Sequence, residues 1–232
     1  MACRVPLIMM PNPSDVYTRP RLEMVEQQLV RRGIRDERVL AAMRQVPRHA
    51  FVDEALSFQA YDDYPLPIGE KQTISQPYMV AVMTEMLELK GTEKVLEIGT
   101  GCGYQTAVLS LTAARVYSIE RIGPLLFKAR KTLEGLGIHN VALTVGDGTL
   151  GWKDFAPYDA ILVAAGGPEV PKPLLEQLAA GGRIIIPIGG ETGQILKRVT
   201  RTARGFEETA STPCTFVKLV GQYGWRENGD IG

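Results

Sequence analysis

Two early stretches of the chain carry apolar residues at helical spacing, and beyond them short apolar runs alternate with amphipathic segments. After Pro20, Leu22, Val25, Leu29 and Val30 recur at the period of one helical face as far as Gly33. Asp36 then stands where it can cap a second helix, with Val39, Leu40 and Met43 on one side and Pro47 at its end. Residues 61–76, interrupted by Pro65, Pro67 and Gly69, show no period and predict an ordered loop, longer than a compact domain tolerates without a reason. From Pro77, Met79, Val82, Met83 and Met86 mark the inward side of a third helix, which breaks at Gly91. Strands are predicted at 94–98, 115–119, 141–145, 159–164 and 182–188, with helices at 104–112, 124–136 and 171–178. That alternation predicts an α/β fold: a Rossmann-like, mostly parallel, doubly wound sheet with crossover helices, preceded by N-terminal helices. Beyond Ile188 the helical signals stop, and 195–200, 206–210 and 215–220 read as strands that add an antiparallel hairpin at the C-terminal edge. The expected organisation is a flexible tail over 1–18 and a single domain over 19–232. Within it, 19–90 holds the N-terminal helices and long loop, 91–190 the sheet core and 191–225 the edge strands, with 226–232 loose.

Composition narrows the function classes. A chain of 232 residues suits one α/β domain with an added lobe. Lys plus Arg and Asp plus Glu both number 26, so there is no net field to draw in a polyanion or an anionic membrane, and no nucleic acid partner is expected. Cys3, Cys102 and Cys214 lie far apart with no CxxC pair, which predicts neither disulfides nor a metal site and fits a reducing cytoplasm. The apolar run from Val5 to Met10 is interrupted by Pro6 and lacks a cleavage pattern, and no stretch approaches the ~20 apolar residues of a membrane helix.

The candidate chemistry begins where the first core strand ends, at Glu97-Ile98-Gly99-Thr100-Gly101-Cys102-Gly103. Glycines there allow a tight turn beside a nucleotide-like ligand, but the dinucleotide spacing G-x-G-x-x-G fails: its third glycine falls on Tyr104 or Thr106. Glu120 closes the second strand about twenty residues past Gly99, where an acid can take both hydroxyls of a ribose. Asp147, in Val145-Gly146-Asp147-Gly148, is placed to accept from an adenine amino group. Glu97 repels a pyrophosphate and attracts the sulfonium and ammonium of S-adenosylmethionine, directly or through water. Glu97, Glu120 and Asp147 together therefore point to S-adenosylmethionine.

Four segments carry a more specific likeness. Gln72-Thr73-Ile74-Ser75-Gln76-Pro77, the loop at 97–103, Val145-Gly146-Asp147-Gly148 and the Gly181-Gly182-Arg183 run through Gly189 together resemble protein-L-isoaspartate O-methyltransferases. The likeness spans roughly 21–225, and the Thr-Ile-Ser-Gln-Pro segment is its selective part. It implies the S-adenosylmethionine methyltransferase fold. It also implies methylation of the free α-carboxylate of L-isoaspartyl residues in age-damaged proteins and peptides, the ester collapsing to a succinimide that returns some normal aspartate. Site residues implied for the cofactor are Thr73, Ile74, Glu97, Gly99, Thr100, Gly101, Gly103, Glu120, Arg121, Asp147 and Gly148. For the substrate they are Ser75, Gln76, Pro77 and Val217; a cytoplasmic monomer is expected. Gly166-Gly167 and Lys218 depart from the pattern, where alanines and proline are more usual.

The proposed chemistry suits these residues. A carboxylate acceptor with a pKa near ~4 needs no general base, and neither His49 nor His139 stands where one is expected. Rate must then come from alignment in a site that excludes water. Ser75 can donate to one acceptor oxygen beside the helix opened by Pro77, or it can simply cap that helix. The residues leave both open, and the resemblance implies the catalytic role. Two alternatives remain at this point, a small-molecule methyltransferase and a catalytically inactive cofactor-binding protein; amino-base methylation lacks its Asn/Asp-Pro-Pro-aromatic motif, since Ala164-Ala165-Gly166-Gly167-Pro168 occupies the place.

Overall fold

The structure is a computed structural model that describes residues 16–190 and 193–226. The expectations of a tail over 1–18 and a loose end over 226–232 fall largely outside these residues, although Thr18 itself already opens a helix. Helix α1 (Thr18–Met24) passes into a π-helical turn (Val25–Leu29) and a 3-10 turn (Val30–Arg32) before Gly33. The wide turn takes more residues than a regular helical turn and so shifts the phase of the side chains beyond it. Met24, Val25 and Leu29 are therefore buried, whereas Leu22, expected inward from the 3.6 period, is exposed. Helix α2 (Glu37–Gln45) is capped as the sequence predicts: the Asp36 carboxylate accepts from the Arg38 amide at 2.8 Å and the Val39 amide at 3.4 Å. Just beyond it Arg48 is fully buried, donating from Nε to the Ala60 carbonyl at 2.7 Å with its guanidinium 4.8 Å from the Tyr104 ring centroid.

The stretch predicted as a loop at 61–76 contains a hairpin, β1 (Leu66–Gly69) against β2 (Gln72–Ile74), with Leu66 facing Ile74. The signal was a single repeat of alternation: Leu66 and Ile68 are buried while Pro67 and Gly69 are exposed. Four residues containing a proline are too few to stand out from a loop. Helix α3 (Pro77–Met86) follows at once. Its deepest residues are Val80, Ala81, Met83 and Thr84, and the expected stripe is rotated so that Met79, Val82 and Met86 are half-buried against the sheet core.

The sheet elements are β3 (Lys94–Ile98), α4 (Tyr104–Thr112), β4 (Arg115–Glu120), α5 (Gly123–Gly135), β5 (Val141–Val145), β6 (Tyr158–Val163), α6 (Lys172–Glu176), β7 (Leu178–Gly189), β8 (Gln194–Thr202) and β9 (Gly205–Cys214). Their order is β5-β4-β3-β6-β7-β8-β9. The pairings are parallel through β7 and antiparallel at β8 and β9. Helix α6 ends before the predicted 178, since the Gln177 carbonyl accepts from the Tyr158 amide at 2.8 Å and draws the chain into β7. The strand predicted at 215–220 is absent. That segment turns back over the carboxyl edge, bridged at Lys218 to Gly166, just past β6, and held at Phe216 by the Gln194 side chain of β8.

All nine residues of α4 are buried, because the helix lies between the sheet and the N-terminal helices. Strand β3 pairs with β4 on one side and β6 on the other, so the chain winds away in both directions from β3, and the crevice opens at the carboxyl end of that switch point. Among the described residues no helix is long and apolar enough to cross a membrane. Removing the α2 cap by Asp36→Ala is expected to lower stability by about 1 kcal/mol, with Asp36→Asn losing less; urea unfolding of the two variants measures it, and equal midpoints for all three proteins would contradict the capping role.

Candidate functional site

The glycine loop turns its amides inward. After β3 the Gly99 and Thr100 amides donate to the Ile119 carbonyl at 2.8 and 3.4 Å, and the Gly103 amide donates to the Thr100 carbonyl at 2.8 Å. The Gly101 amide donates to Glu120 Oε2 at 2.8 Å, while Glu120 Oε1 accepts from the Ile122 amide at 3.0 Å. A pyrophosphate site needs such amides pointing at the ligand. Here these four are engaged, and a carboxylate, Glu120, lines the cavity. Gly103 cannot readily be replaced: its φ is +94°, and a Cβ would stand 3.3 Å from Ala129 and Leu133 of α5.

Beneath the loop lies a buried hydroxyl–carboxyl chain. Thr106 Oγ1 and Ser118 Oγ donate to Glu97 Oε2 at 2.5 and 2.6 Å, and Thr100 Oγ1 is 2.6 Å from Ser118 Oγ. Glu97 has no solvent exposure, and its Oε1 has no hydrogen-bond partner among the described residues. Burial raises its pKa to about 8, overcoming the two hydroxyls that favour the ionised form, and the nearby Glu120 charge adds to the rise. Glu97 is not among the residues that line the crevice; its side chain lies under the loop, held by Thr106 and Ser118.

The crevice wall includes Thr73, Ile74, Ser75, Gly99, Thr100, Gly101, Glu120, Arg121, Gly148 and Val217 from the sequence expectations. Glu97, Gly103, Gln76, Pro77 and Asp147 stand off it. Hairpin β1–β2 closes one side, with Ile68 Cδ1 against Gly101, 3.5 Å from where its Cβ would be. Ser75 does not cap α3: the N-cap position is Gln76, without a side-chain cap bond, and Pro77 begins the helix. Gln76 instead donates from Nε2 to the Asp63 carbonyl at 2.9 Å. The Asp147 carboxylate is held by the Thr149 amide and hydroxyl at 2.9 and 2.7 Å and by the Gln222 amide at 2.8 Å. Lys218, Leu219 and Val220 complete the facing wall, together with Ala164 and Ala165. The sequence hid these because 215–220 reads as an edge strand. Cys102 and Tyr104 also line the crevice, and burial pushes the Cys102 thiol up to about 11 and raises the Tyr104 phenol as well. Neither histidine reaches the wall; His49 Nδ1 is 2.7 Å from the Tyr61 hydroxyl.

A crevice at the switch point, with an acid in place of a phosphate cradle, is what a methyltransferase cofactor site requires. The model of the protein-L-isoaspartate(D-aspartate) O-methyltransferase family matches residues 20–224. The chain belongs to this family. The protein-L-isoaspartate O-methyltransferase of Geobacter metallireducens is 59% identical over 207 residues, 88% of this chain and 95% of that protein. The one from Syntrophotalea carbinolica is 57% identical over 215 residues, 92% and 99%. A solved protein-L-isoaspartate O-methyltransferase superposes with a TM-score of 0.79 at 32% identity, over 88% of this chain and 67% of its own. A Plasmodium falciparum structure described as a beta-aspartate methyltransferase, bound to S-adenosyl-L-homocysteine, gives 0.75 at 26% identity over 86% and 98%. The methyl donor of this isoaspartate methyltransferase fold is S-adenosylmethionine.

Glu97 gives the ligand-free protein a pH signature. Its carboxyl stays protonated in the folded chain up to about pH 8 but ionises in the unfolded chain near its ordinary value of 4.5. The folded state therefore holds the extra proton, and stability falls as pH rises between these values, by at most about 1.4 kcal/mol per unit. Glu97→Gln is expected to flatten that slope; thermal unfolding across roughly pH 5 to 8 measures it, and an unchanged slope would place the ionisation elsewhere.

Proposed function

We infer that this chain methylates the free α-carboxylate of L-isoaspartyl residues in damaged proteins and peptides, opening the route through a succinimide to normal aspartate. One observation carries the reading. The crevice wall offers a hydroxyl, Ser75, and neither histidine: Cys102 and Tyr104 are held protonated by burial, and the Glu120 carboxylate already accepts from two backbone amides. An alcohol or amine acceptor must lose a proton to react, whereas a carboxylate arrives ionised. The wall therefore favours an acceptor that needs no base. Membership of the family supports the same choice over a small-molecule acceptor or an inactive binding protein.

S-adenosylmethionine supplies a methyl carbon activated by its sulfonium. Glu120 is placed to take the ribose hydroxyls through lone pairs not used by Gly101 and Ile122, with Gly99, Thr100, Gly101 and Arg121 along the same wall and Glu97 and Gly103 fixing the loop from behind. Asp147 keeps the adenine role only through its remaining acceptor capacity, since three donors already hold its carboxylate. Thr73 and Ile74 hold the hairpin side, and Gly148 the floor. Ser75 donates one hydrogen bond to the acceptor carboxylate and orients it. A single neutral donor aligns the nucleophile without the over-stabilisation that an arginine pair would bring. Gln76 and Pro77 fix the backbone at Ser75, and Val217 faces it. The reading includes a cytoplasmic monomer acting on proteins rather than nucleic acid or membrane; the equality of 26 basic and 26 acidic residues supports the choice of partner.

Ser75→Ala is expected to reduce kcat/KM for an isoaspartyl peptide by about 100-fold, the scale of losing one donor to the reacting group, with S-adenosyl-L-homocysteine affinity unchanged. Retained methyl transfer would remove Ser75 from the mechanism. Glu120→Gln is expected to do the reverse, weakening cofactor binding by about 10-fold or more, as read by calorimetry.

A further inference from the structure

We propose that Gln194, outside the crevice, is a positioning residue that sets the acceptor-facing wall. Where β9 ends at Cys214 the chain must turn from the sheet edge to run across its carboxyl end, and Gln194, at the start of β8, meets the turn. Its side chain imitates a strand partner: Oε1 accepts from the Phe216 amide at 2.8 Å, and Nε2 donates to the Phe216 carbonyl at 3.2 Å and lies 3.3 Å from the Gly190 carbonyl. Gln194 is 3% exposed, so these bonds form away from competing water. The next residue, Val217, lines the same crevice as Ser75.

Gly166 completes the clamp. Its amide donates to the Val217 carbonyl at 2.8 Å, and its carbonyl accepts from the Leu219 amide at 2.8 Å and from Trp225 Nε1 at 3.0 Å. A Cβ at Gly166 would lie 2.5 Å from the Gln194 amide, so the glycine is required by the glutamine. The departure at this position thus has a structural reason: residue 166 leaves room for the side chain that holds Phe216. Gln194 is not among the residues that line the crevice and acts through the segment it holds, so its loss alters acceptor recognition and leaves the Glu120 side of the crevice in place.

The inference rests on reading Val217 and its neighbours as the acceptor side. It is tested with the full chain, an isoaspartyl peptide and S-adenosyl-L-homocysteine. Gln194→Ala is expected to raise the peptide KM by about 10-fold, the effect of removing two buried hydrogen bonds, while the affinity for S-adenosyl-L-homocysteine stays within about 2-fold. Gln194→Glu, which keeps the bond from the Phe216 amide but cannot donate to its carbonyl, should fall between. Gly166→Ala, pressing on the same amide from the other side, should raise the peptide KM without needing Gln194 replaced. Adding Gln194→Ala to it should cost less than the sum of the two single changes. An unchanged peptide KM in these variants, or equal loss of peptide and S-adenosyl-L-homocysteine binding, overturns the positioning role. Failure of the unaltered chain to methylate the peptide overturns the function on which it rests.

Discussion

The carboxylate of Glu120 is the constraint on which the carboxyl edge of the sheet depends. One oxygen holds the glycine loop through the Gly101 amide and the other holds the start of the next connection through Ile122, so two turns from different strands are fixed by one side chain. Directly behind them, the protonated Glu97 and its hydroxyl partners fill the space under the loop without adding a second buried negative charge. Two ionised carboxylates this close would oppose one another. Burial above all holds Glu97 protonated under the loop, with the Glu120 charge adding to the rise.

The sheet was legible in the sequence because each central strand is a short, largely apolar run followed by a helical segment, and strands 94–98 and 141–145 have the boundaries expected. The acids at the strand ends were legible too, but their duties were not. Spacing reports that Glu97, Glu120 and Asp147 cluster at one edge; it does not report which carboxylate is buried or which already has donors. That information lies in contacts with Thr106, Ser118 and Gln222, from 9 to 75 residues away in the chain. The N-terminal face was misjudged for a different reason, since a π-helical turn shifts the phase that a 3.6-residue period assumes. Segment 215–220 has the composition of a strand, and only the clamp by Gln194 and Gly166 shows why it leaves the sheet.

Donor and acceptor sides are built from different material. The donor side consists of turns that continue central strands and is braced by backbone hydrogen bonds within the parallel sheet. In the proposed reading the acceptor meets Ser75 and the returning segment after β9, both attached to the outside of that sheet. This separation explains why the cofactor could be read from a few motif residues while the acceptor required a family likeness and the geometry of the wall.

Helix α4 is buried on every side and forms the rigid floor behind the glycine loop. An element without a free face cannot shift without disturbing both the sheet and the N-terminal helices. A loop inserted in either outer arm therefore meets solvent rather than this packed layer, whereas a change in α4 must be absorbed by the sheet and the N-terminal helices at once.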